Sequence, residues 1–225
     1  MRILDLGCGW GSMSLWICER YPQAQVLAVS NSRPQREWIE AIADRRGFGD
    51  RLEVRTADIN SLELATRFDR VVSIEMFEHM RNWEALLARI AGWLEPDGRL
   101  FVHVFSHRRL AYEFEGTWAA ERFFTAGRMP SHELLLRFQR DLEVRESWAL
   151  PGTHYSHTLA AWLARLDAHA DRARAVLGAE VGPRRAARAL AGWRLFLLST
   201  AEVWGWRDGQ EWMVSHYLLG PRASA

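Results

Sequence analysis

A glycine-rich turn near the start of the chain constrains the fold more than any other feature. Gly7, Gly9 and Gly11 close an apolar run that begins at residue 2, and a segment with helical spacing of its apolar residues follows over 12–20. Glycine permits a sharp turn and lets a ligand come close to the backbone, while the amide groups that begin the helix face the same crevice. We therefore predict a ligand-binding turn at the carboxyl end of a buried strand, although a tight turn that binds nothing would show the same glycines.

The rest of the first half alternates apolar runs with helical patterns. We predict strands over 2–8, 25–30, 52–58, 68–76 and 99–105, and helices over 12–20, 33–46 and 82–94. Repeated units of this kind form a parallel sheet flanked by helices. After an irregular, aromatic-rich stretch, we predict helices over 131–140, 160–177 and 184–203, and strands over 142–148 and 211–219. The expected fold class is α/β, with seven strands.

The 225 residues are expected to form one domain. Within it, we assign 1–105 to a cofactor-binding core, 106–130 to an insert on the substrate side, 131–150 and 211–220 to the end of the sheet, and 155–205 to a helical lobe.

Composition excludes several classes of function. The formal net charge is +1 and no basic stripe is present, so a nucleic-acid partner is not expected. No apolar run approaches the ~20 residues that a membrane span requires. The two cysteines, Cys8 and Cys18, do not form a disulfide framework, and no signal peptide is evident, so we expect a cytoplasmic location. His103 and His107 fall on one side of a strand but lack a third ligand, so no metal is expected.

Several residues at the ends of the predicted strands are candidates for cofactor binding. The G-x-G-x-G spacing differs from the G-x-G-x-x-G of dinucleotide-binding oxidoreductases. Asp5 precedes the glycines, where a carboxylate can receive the ammonium group of an amino-acid cofactor. Asn31 and Gln35 stand where an acidic residue commonly holds a ribose, and Asp58 is placed either for an adenine amino group or to cap a turn. The adjoining candidates are Gly7, Cys8, Gly9, Gly11, Ile59 and Ile74.

Motifs distributed along the chain resemble the cyclopropane-fatty-acid synthase superfamily of S-adenosylmethionine-dependent methyltransferases, and most closely its coclaurine N-methyltransferase-like members. They are Leu4–Gly11, Ser73–Met80, Phe101–His103, Phe123–Thr125, Met129–Ser131, His154–Ser156 and Glu211–Val214. The resemblance implies a Rossmann-like class I methyltransferase fold with a helical C-terminal lobe. It also implies S-adenosylmethionine as the cofactor, with S-adenosylhomocysteine as its product.

The resemblance to the N-methylating members implies roles for three residues after the fourth strand. Glu78 and His79 match a glutamate and a histidine that hold and deprotonate an amine, and Glu75 adds a second carboxylate that attracts a cation. The implied reaction is N-methylation of a small amine. Glu78 and His79 could instead be a structural hydrogen-bonded pair at the strand end.

Two other functions stay open. In cyclopropane synthases, residues that match Glu78, His103 and Tyr155 help to hold a bicarbonate ion, so the chain could modify an unsaturated lipid. Glu75 argues against this, because those enzymes typically carry glycine at that position. The other alternative is a non-catalytic protein that still binds S-adenosylmethionine.

We expect His103, Phe105, Phe124 and Tyr155 to contact the methyl acceptor. Further aromatic residues could line a pocket or pack the lobe: Tyr112, Phe114, Trp118, Phe123, Trp193 and Trp204. Family members carry cover helices before the glycine turn, whereas this chain opens on the first strand, so we expect that cover to be missing. The expected partner is a small molecule, and a homodimer is possible.

Overall fold

The computed structural model describes residues 1–116, 118–123 and 127–222. Its strands are β1 (Arg2–Leu6), β2 (Gln25–Ser30), β3 (Leu52–Thr56), β4 (Phe68–Ile74), β5 (Leu94–His107), β6 (Tyr112–Glu113), β7 (Arg128–Met129), β8 (Leu142–Pro151) and β9 (Trp212–Pro221). Its α-helices are α1 (Ser12–Arg20), α2 (Arg33–Arg45), α3 (Trp83–Trp93), α4 (Trp118–Phe123), α5 (Thr153–Ala168), α6 (Ala170–Val181) and α7 (Pro183–Gly205).

Seven of these strands form one sheet in the order β3-β2-β1-β4-β5-β9-β8. The strands from β3 to β5 are parallel, and β9 runs antiparallel to both of its neighbours. The predicted α/β class and the mostly parallel seven-stranded sheet are therefore confirmed. The first, third and fourth strands end at Leu6, Thr56 and Ile74, earlier than predicted, because the residues after them turn away from the sheet.

Both faces of the sheet are buried, as the uninterrupted apolar runs indicate. Alternate residues of β1 show this directly: Leu4 belongs to a cluster with residues of α3, and Ile3 belongs to a cluster with residues of α1 and α2. Each fully buried leucine or isoleucine contributes about 1.5–3 kcal/mol to folding. This two-sided packing fixes the carboxyl ends of β1 to β4 relative to one another.

The second half departs from the prediction in three places. The helix predicted over 160–177 is two helices, α5 and α6, because the backbone leaves the helical conformation at His169, whose Nδ1 lies 2.9 Å from the carbonyl oxygen of Arg165. The helix predicted over 131–140 is only a 3-10 turn, Leu135–Arg137. There the side chain of Gln139 contacts the backbone of Leu136 and Val144. The stretch predicted to be irregular contains α4 and a short β6–β7 hairpin.

No helix in the described part of the chain combines the length and the apolar composition that crossing a membrane requires.

Candidate active site

A crevice with both polar and apolar walls lies at the carboxyl ends of β1 to β4, the edge at which open α/β sheets bind ligands. Its volume is about 510 Å³. The residues that line it lie at the ends of these four strands or in the segments that follow them: Gly7, Gly9, Val29, Ser30, Asn31, Gln35, Ala57, Asp58, Ile59, Asn60, Glu75, Met76, His79 and Met80.

The three glycines of the turn serve different purposes. All have positive φ, but a Cβ on Gly7 would lie 2.7 Å from Met76 and a Cβ on Gly11 would lie 2.6 Å from Ile39. A Cβ on Gly9 would meet nothing within 4 Å. Gly7 and Gly11 are therefore required by packing, whereas Gly9 leaves open space where a ligand can approach the backbone.

Asp5 and Cys8 do not line the crevice. Asp5 is buried and accepts a hydrogen bond of 2.5 Å from the hydroxyl of Ser14, in the first turn of α1. Burial raises the pKa of Asp5 to about 6, against the lowering effect of Ser14. Burial also raises the pKa of the Cys8 thiol to about 12. Gly11 and Ile74 likewise lie outside the set of residues that line the crevice.

Asn31, Gln35, Asp58 and Ile59 do line the crevice. Gln35 is oriented by the hydroxyl of Ser30, which donates to its Oε1 at 2.5 Å. Asp58 is held by a local turn in which its Oδ1 accepts from the backbone and side-chain nitrogens of Asn60, both at 2.9 Å. Two of these side chains are thus oriented by neighbouring groups.

Glu75 directly follows β4 and has a left-handed backbone, with φ 53, which costs a non-glycine residue free energy. Its backbone nitrogen donates to the carbonyl oxygen of His103 at 3.0 Å. Nε2 of His103 lies 3.2 Å from Oε1 of Glu75, but that oxygen makes no hydrogen bond to any described residue. The sequence predicted a carboxylate at this position but not the left-handed backbone of Glu75.

Glu78 and His79 lie in the 3-10 turn Phe77–His79 that follows. The Glu78 side chain is only 3% exposed, and its Oε2 makes no hydrogen bond within the described ranges. Burial, reinforced by the charge of Glu75, raises the pKa of Glu78 to about 9. His79 is exposed, with Nε2 3.7 Å from Oε1 of Glu78. A buried carboxyl oxygen without a hydrogen-bond partner among the described residues is costly, and a ligand group that supplies a partner would remove that cost.

An aromatic cavity of about 440 Å³ adjoins the crevice, and Glu75 lines both. The walls come from β5, the β6–β7 hairpin, α4, α5, α7 and β9. The lining residues besides Glu75 are Phe105, Tyr112, Phe114, Ala119, Ala120, Met129, Tyr155, Leu159, Trp162, Phe196, Ser199, Thr200, Val203, Trp204 and Trp212.

Tyr155 connects this cavity to the carboxylates. Its ring stacks on Trp204 at 4.9 Å between centroids, and its hydroxyl lies 3.3 Å from Nε2 of His103. Burial and the charge of Glu75 raise the pKa of the Tyr155 phenol far above its ordinary value, so the phenol stays protonated. His103 therefore lies beside the hydroxyl of Tyr155 and the carboxylate of Glu75.

The aromatic residues considered as pocket candidates divide into two groups. Tyr112, Phe114 and Trp204 line the cavity. Trp118, Phe123 and Trp193 do not, and Phe123 instead stacks on Phe196 at 4.2 Å and contacts Trp193. Phe124 lies outside the described residues. The sequence interpretation missed Trp162 and Trp212, whose positions depend on how α5 and β9 pack.

His107 anchors the loop that leads to the cavity wall. Its Nδ1 accepts from the backbone nitrogens of Arg109 and Leu110, at 3.0 and 2.9 Å, and its Nε2 lies 3.1 Å from Glu211. Across the described ranges, no group of three or more His, Cys, Asp or Glu side chains is arranged to hold a metal ion.

The chain is similar in sequence to plant and bacterial proteins. The (S)-coclaurine N-methyltransferase of Thalictrum flavum subsp. glaucum is 39% identical over 225 residues, which is 96% of this chain and 62% of the relative. That of Papaver somniferum is 34% identical, over 96% of this chain and 64% of the relative. The cyclopropane-fatty-acyl-phospholipid synthase of Escherichia coli (strain K12) is 29% identical over 73% of this chain and 42% of the relative. The chain thus spans less than two thirds of the length of these relatives.

Solved structures and a family model agree with this grouping. A coclaurine N-methyltransferase bound to N-methylheliamine and SAH superposes with a TM-score of 0.91 at 40% identity, covering 97% of this chain and 66% of that one. The mycolic acid cyclopropane synthase CmaA1, complexed with SAH and CTAB, shares the fold with a TM-score of 0.80 at 21% identity, covering 97% and 77%. The class I methyltransferase fold is therefore confirmed. Because residues 1–204 match the family model described as mycolic acid cyclopropane synthetase, the chain belongs to that family.

Proposed function

We propose that this chain catalyses the transfer of a methyl group from S-adenosylmethionine to the nitrogen of a small alkyl amine that carries an aromatic ring. One observation carries the proposal: Glu75 lines both the crevice, of about 510 Å³, and the aromatic cavity that adjoins it. A cofactor in the crevice and an acceptor in the cavity would meet at the carboxylate of Glu75.

The residues of the crevice fit S-adenosylmethionine. The open space at Gly9 suits close approach of the amino-acid end, Asn31 and Gln35 suit ribose hydroxyls, and Asp58 suits an adenine amino group. Its volume of about 510 Å³ lies within the range of small-molecule sites. The relatives in two of the solved structures bind SAH, the corresponding product. When bound, S-adenosylmethionine supplies a methyl group on a positively charged sulfur.

An amine must present a neutral lone pair to accept that methyl group. Most alkyl amines are cationic near neutral pH, so a site for them needs a negative group to attract the cation and a base to remove its proton. Glu75 serves both purposes in our proposal. Glu78, whose Oε2 makes no hydrogen bond to any described residue, would accept a hydrogen bond from the ammonium and would itself ionise as the cation arrives. His79, next to Glu78, would orient the amine.

The aromatic walls of the cavity favour a flat molecule as the methyl acceptor. Phe105, Tyr155 and Trp204 form a continuous set of ring contacts, with centroids 6.0 Å apart for Phe105–Trp204 and 4.9 Å for Tyr155–Trp204. Such faces attract cations as well as rings. Relatives named as coclaurine, pavine and tetrahydroprotoberberine N-methyltransferases are similar to this chain, which favours an alkaloid amine.

Transfer to an unsaturated lipid is the second candidate. The family description and the close His103–Tyr155 pair favour it. The charge of Glu75 opposes it, because a carboxylate at the meeting point of the two cavities destabilises an apolar acyl chain there. The strained backbone at Glu75 argues against a protein that only binds S-adenosylmethionine, because strain of this kind clusters at functional sites.

A product screen by mass spectrometry tests the proposal. The protein is incubated with S-adenosylmethionine and a pool of aromatic secondary and tertiary amines, phenols and unsaturated phospholipids, with the Glu75→Gln variant as the matched control. We expect methylated amines with the unaltered protein and far less with the variant. A modified phospholipid as the main product would replace the proposal by the second candidate. S-adenosylmethionine binding without any product would contradict both.

A further inference from the structure

His216 lies behind His103, on the side away from the crevice. The two residues are directly opposite each other in the antiparallel pair of β5 and β9. Nε2 of His216 is 2.9 Å from Nδ1 of His103, and the ring centroids are 4.8 Å apart. The other ring nitrogen of His103 faces Oε1 of Glu75 at 3.2 Å and the hydroxyl of Tyr155 at 3.3 Å. Glu75, His103 and His216 therefore lie in one line of titratable groups, in which the two histidines are hydrogen-bonded and Glu75 lies within contact distance of His103.

The outer end of this line reaches solvent. His216 is only partly buried, with the ring of Phe101 against it at 5.1 Å and Trp148 paired with it from β8. In the proposed function the two reactants occupy the crevice and the cavity that Glu75 lines, and together they would cover its carboxylate. A proton that reaches Glu75 would then need a route through the protein.

We propose that His103 and His216 form a proton path that carries the proton of the ammonium substrate from Glu75 to solvent. The inference rests on the proposed N-methyltransferase function. It gives His216 a role in the reaction that is exerted through His103.

Each transfer in this path is balanced. The N–H bond of the ammonium breaks and an O–H bond forms on Glu75, which leaves the lone pair on the amine. Glu75 then gives this proton to Nε2 of His103 while the proton on Nδ1 of His103 passes to Nε2 of His216. His216 releases the proton of its Nδ1 to water, so both rings remain neutral and exchange with water restores their original tautomers.

The surroundings suit this role. Glu75 and Tyr155 face His103 from the crevice and cavity side, and His216 faces it from β9, while the charge of Glu78 acts on Tyr155. Burial and the neighbouring His103 lower the pKa of His216 to about 4, so this ring is neutral near pH 7, and its Nε2 lies 2.9 Å from Nδ1 of His103. The phenol of Tyr155 stays protonated and does not remove the proton from the path.

The test compares two acceptors of the same ring shape. One is a secondary alkyl amine that carries an aromatic ring and is protonated at the working pH, and the other is a fluorinated analogue that is neutral there and needs no deprotonation before it reacts. Turnover of both is measured for the unaltered protein, His216→Gln, His216→Phe and the control His157→Gln, which changes an exposed histidine of α5. Glutamine still accepts the hydrogen bond from His103 but cannot pass a proton on, and phenylalanine keeps only the ring. Rates are normalised to the S-adenosylmethionine-binding sites of each variant.

We expect both His216 variants to lower kcat for the protonated amine by about tenfold or more and to leave the neutral analogue within about twofold, as loss of a proton-transfer route predicts. Equal losses for the two amines, or full activity of His216→Gln, would overturn the proton path. Failure of the unaltered protein to methylate either amine is a different result, because it would overturn the proposed function itself.

Discussion

Glu75 and His103 contact each other at two points, one through the backbone and one through the side chains. The backbone nitrogen of Glu75 donates to the carbonyl oxygen of His103 at 3.0 Å, and Oε1 of the same glutamate lies 3.2 Å from Nε2 of the same histidine. The backbone contact holds Glu75 at φ 53 and so places its carboxylate between crevice and cavity. The strained residue is thus the one on which the proposed chemistry depends.

Glu75→Gly should lower the activity of the protein without lowering its stability. Glycine adopts positive φ without strain, so we expect the free energy of unfolding to stay the same or rise by about 1 kcal/mol. Amine turnover should fall by about a hundredfold or more, because the base is lost. Urea unfolding and initial rates measure the two effects. Glu75→Gln, which keeps the strain but not the charge, should lose activity without gaining stability; a Glu75→Gly protein that is markedly less stable would show that the conformation is not strained.

Glu78→Gln should lower the turnover of the amine without changing the affinity for the cofactor. Glu78 does not line the crevice, so we expect the Kd for S-adenosylmethionine to stay within about twofold and amine turnover to fall by about a hundredfold. Isothermal titration with the cofactor and steady-state kinetics distinguish the two. Unchanged turnover would remove Glu78 from the catalytic site.

The affinity for a cation should depend on pH through Glu78. Because burial and Glu75 raise the pKa of Glu78 to about 9, its carboxyl group is protonated near pH 7 and must lose that proton to pair with a cation. A permanently charged aromatic quaternary ammonium should therefore bind more tightly as pH rises to about 9, by up to about tenfold per pH unit, and level off above. Titration monitored by tryptophan fluorescence measures this. The Glu78→Gln protein should show a much flatter profile, and an equally steep one would assign the dependence to another group.

Gly9→Ala should weaken cofactor binding, whereas Gly11→Ala should destabilise the fold. A Cβ at position 9 meets nothing in the protein, so beyond about 1 kcal/mol of backbone strain the fold should tolerate it, while the cofactor loses its close approach and its Kd rises. A Cβ at position 11 would lie 2.6 Å from Ile39, so this change should lower the free energy of unfolding. Thermal unfolding and cofactor titration are measured for both. Ile39→Ala, which removes the Ile39 atoms that this Cβ would meet, should cost less stability in Gly11→Ala than in the unaltered protein. Tight cofactor binding by Gly9→Ala would contradict the assignment of Gly9.

Asp5→Asn should change the dependence of stability on pH. The folded-state pKa of Asp5, about 6, lies above its ordinary 3.8, so Asp5 contributes its full stability at low pH and loses it as pH rises through about 6. Asparagine has no such loss and still accepts from Ser14. We expect the variant to be more stable than the unaltered protein near pH 7, by about 1–3 kcal/mol, and to lose this advantage near pH 4. Urea titrations at both values test this. The cofactor Kd of the same variant tests the ammonium-binding role predicted for Asp5, which an unchanged Kd would remove.

The sheet and the ligand-binding edge could be predicted because their signals are local. Strands buried on both faces give uninterrupted apolar runs, and glycines mark the turn after β1. The break at His169 could not be predicted in the same way. No glycine or proline marks it, and α6, which follows it, has no buried residue whose spacing would mark its start.

The centre of the site depends on distant residues. His103 and His216 are 113 residues apart in the chain and meet only because β9 inserts antiparallel beside β5. The left-handed conformation of Glu75 likewise depends on the backbone of His103, not on its own neighbours in sequence. The expected homodimer and cytoplasmic location stay predictions.

The most direct measurement of the central proposal is a competition for a labelled methyl group. S-adenosylmethionine with a trideuterated methyl group is given to the protein together with an aromatic secondary amine and vesicles of an unsaturated phospholipid, and both products are quantified by mass spectrometry. We expect the label on the amine nitrogen, and its loss in Glu75→Gln. Label in the lipid, or in the amine at equal rates for the protein and its Glu75→Gln variant, would contradict an N-methyltransferase centred on Glu75.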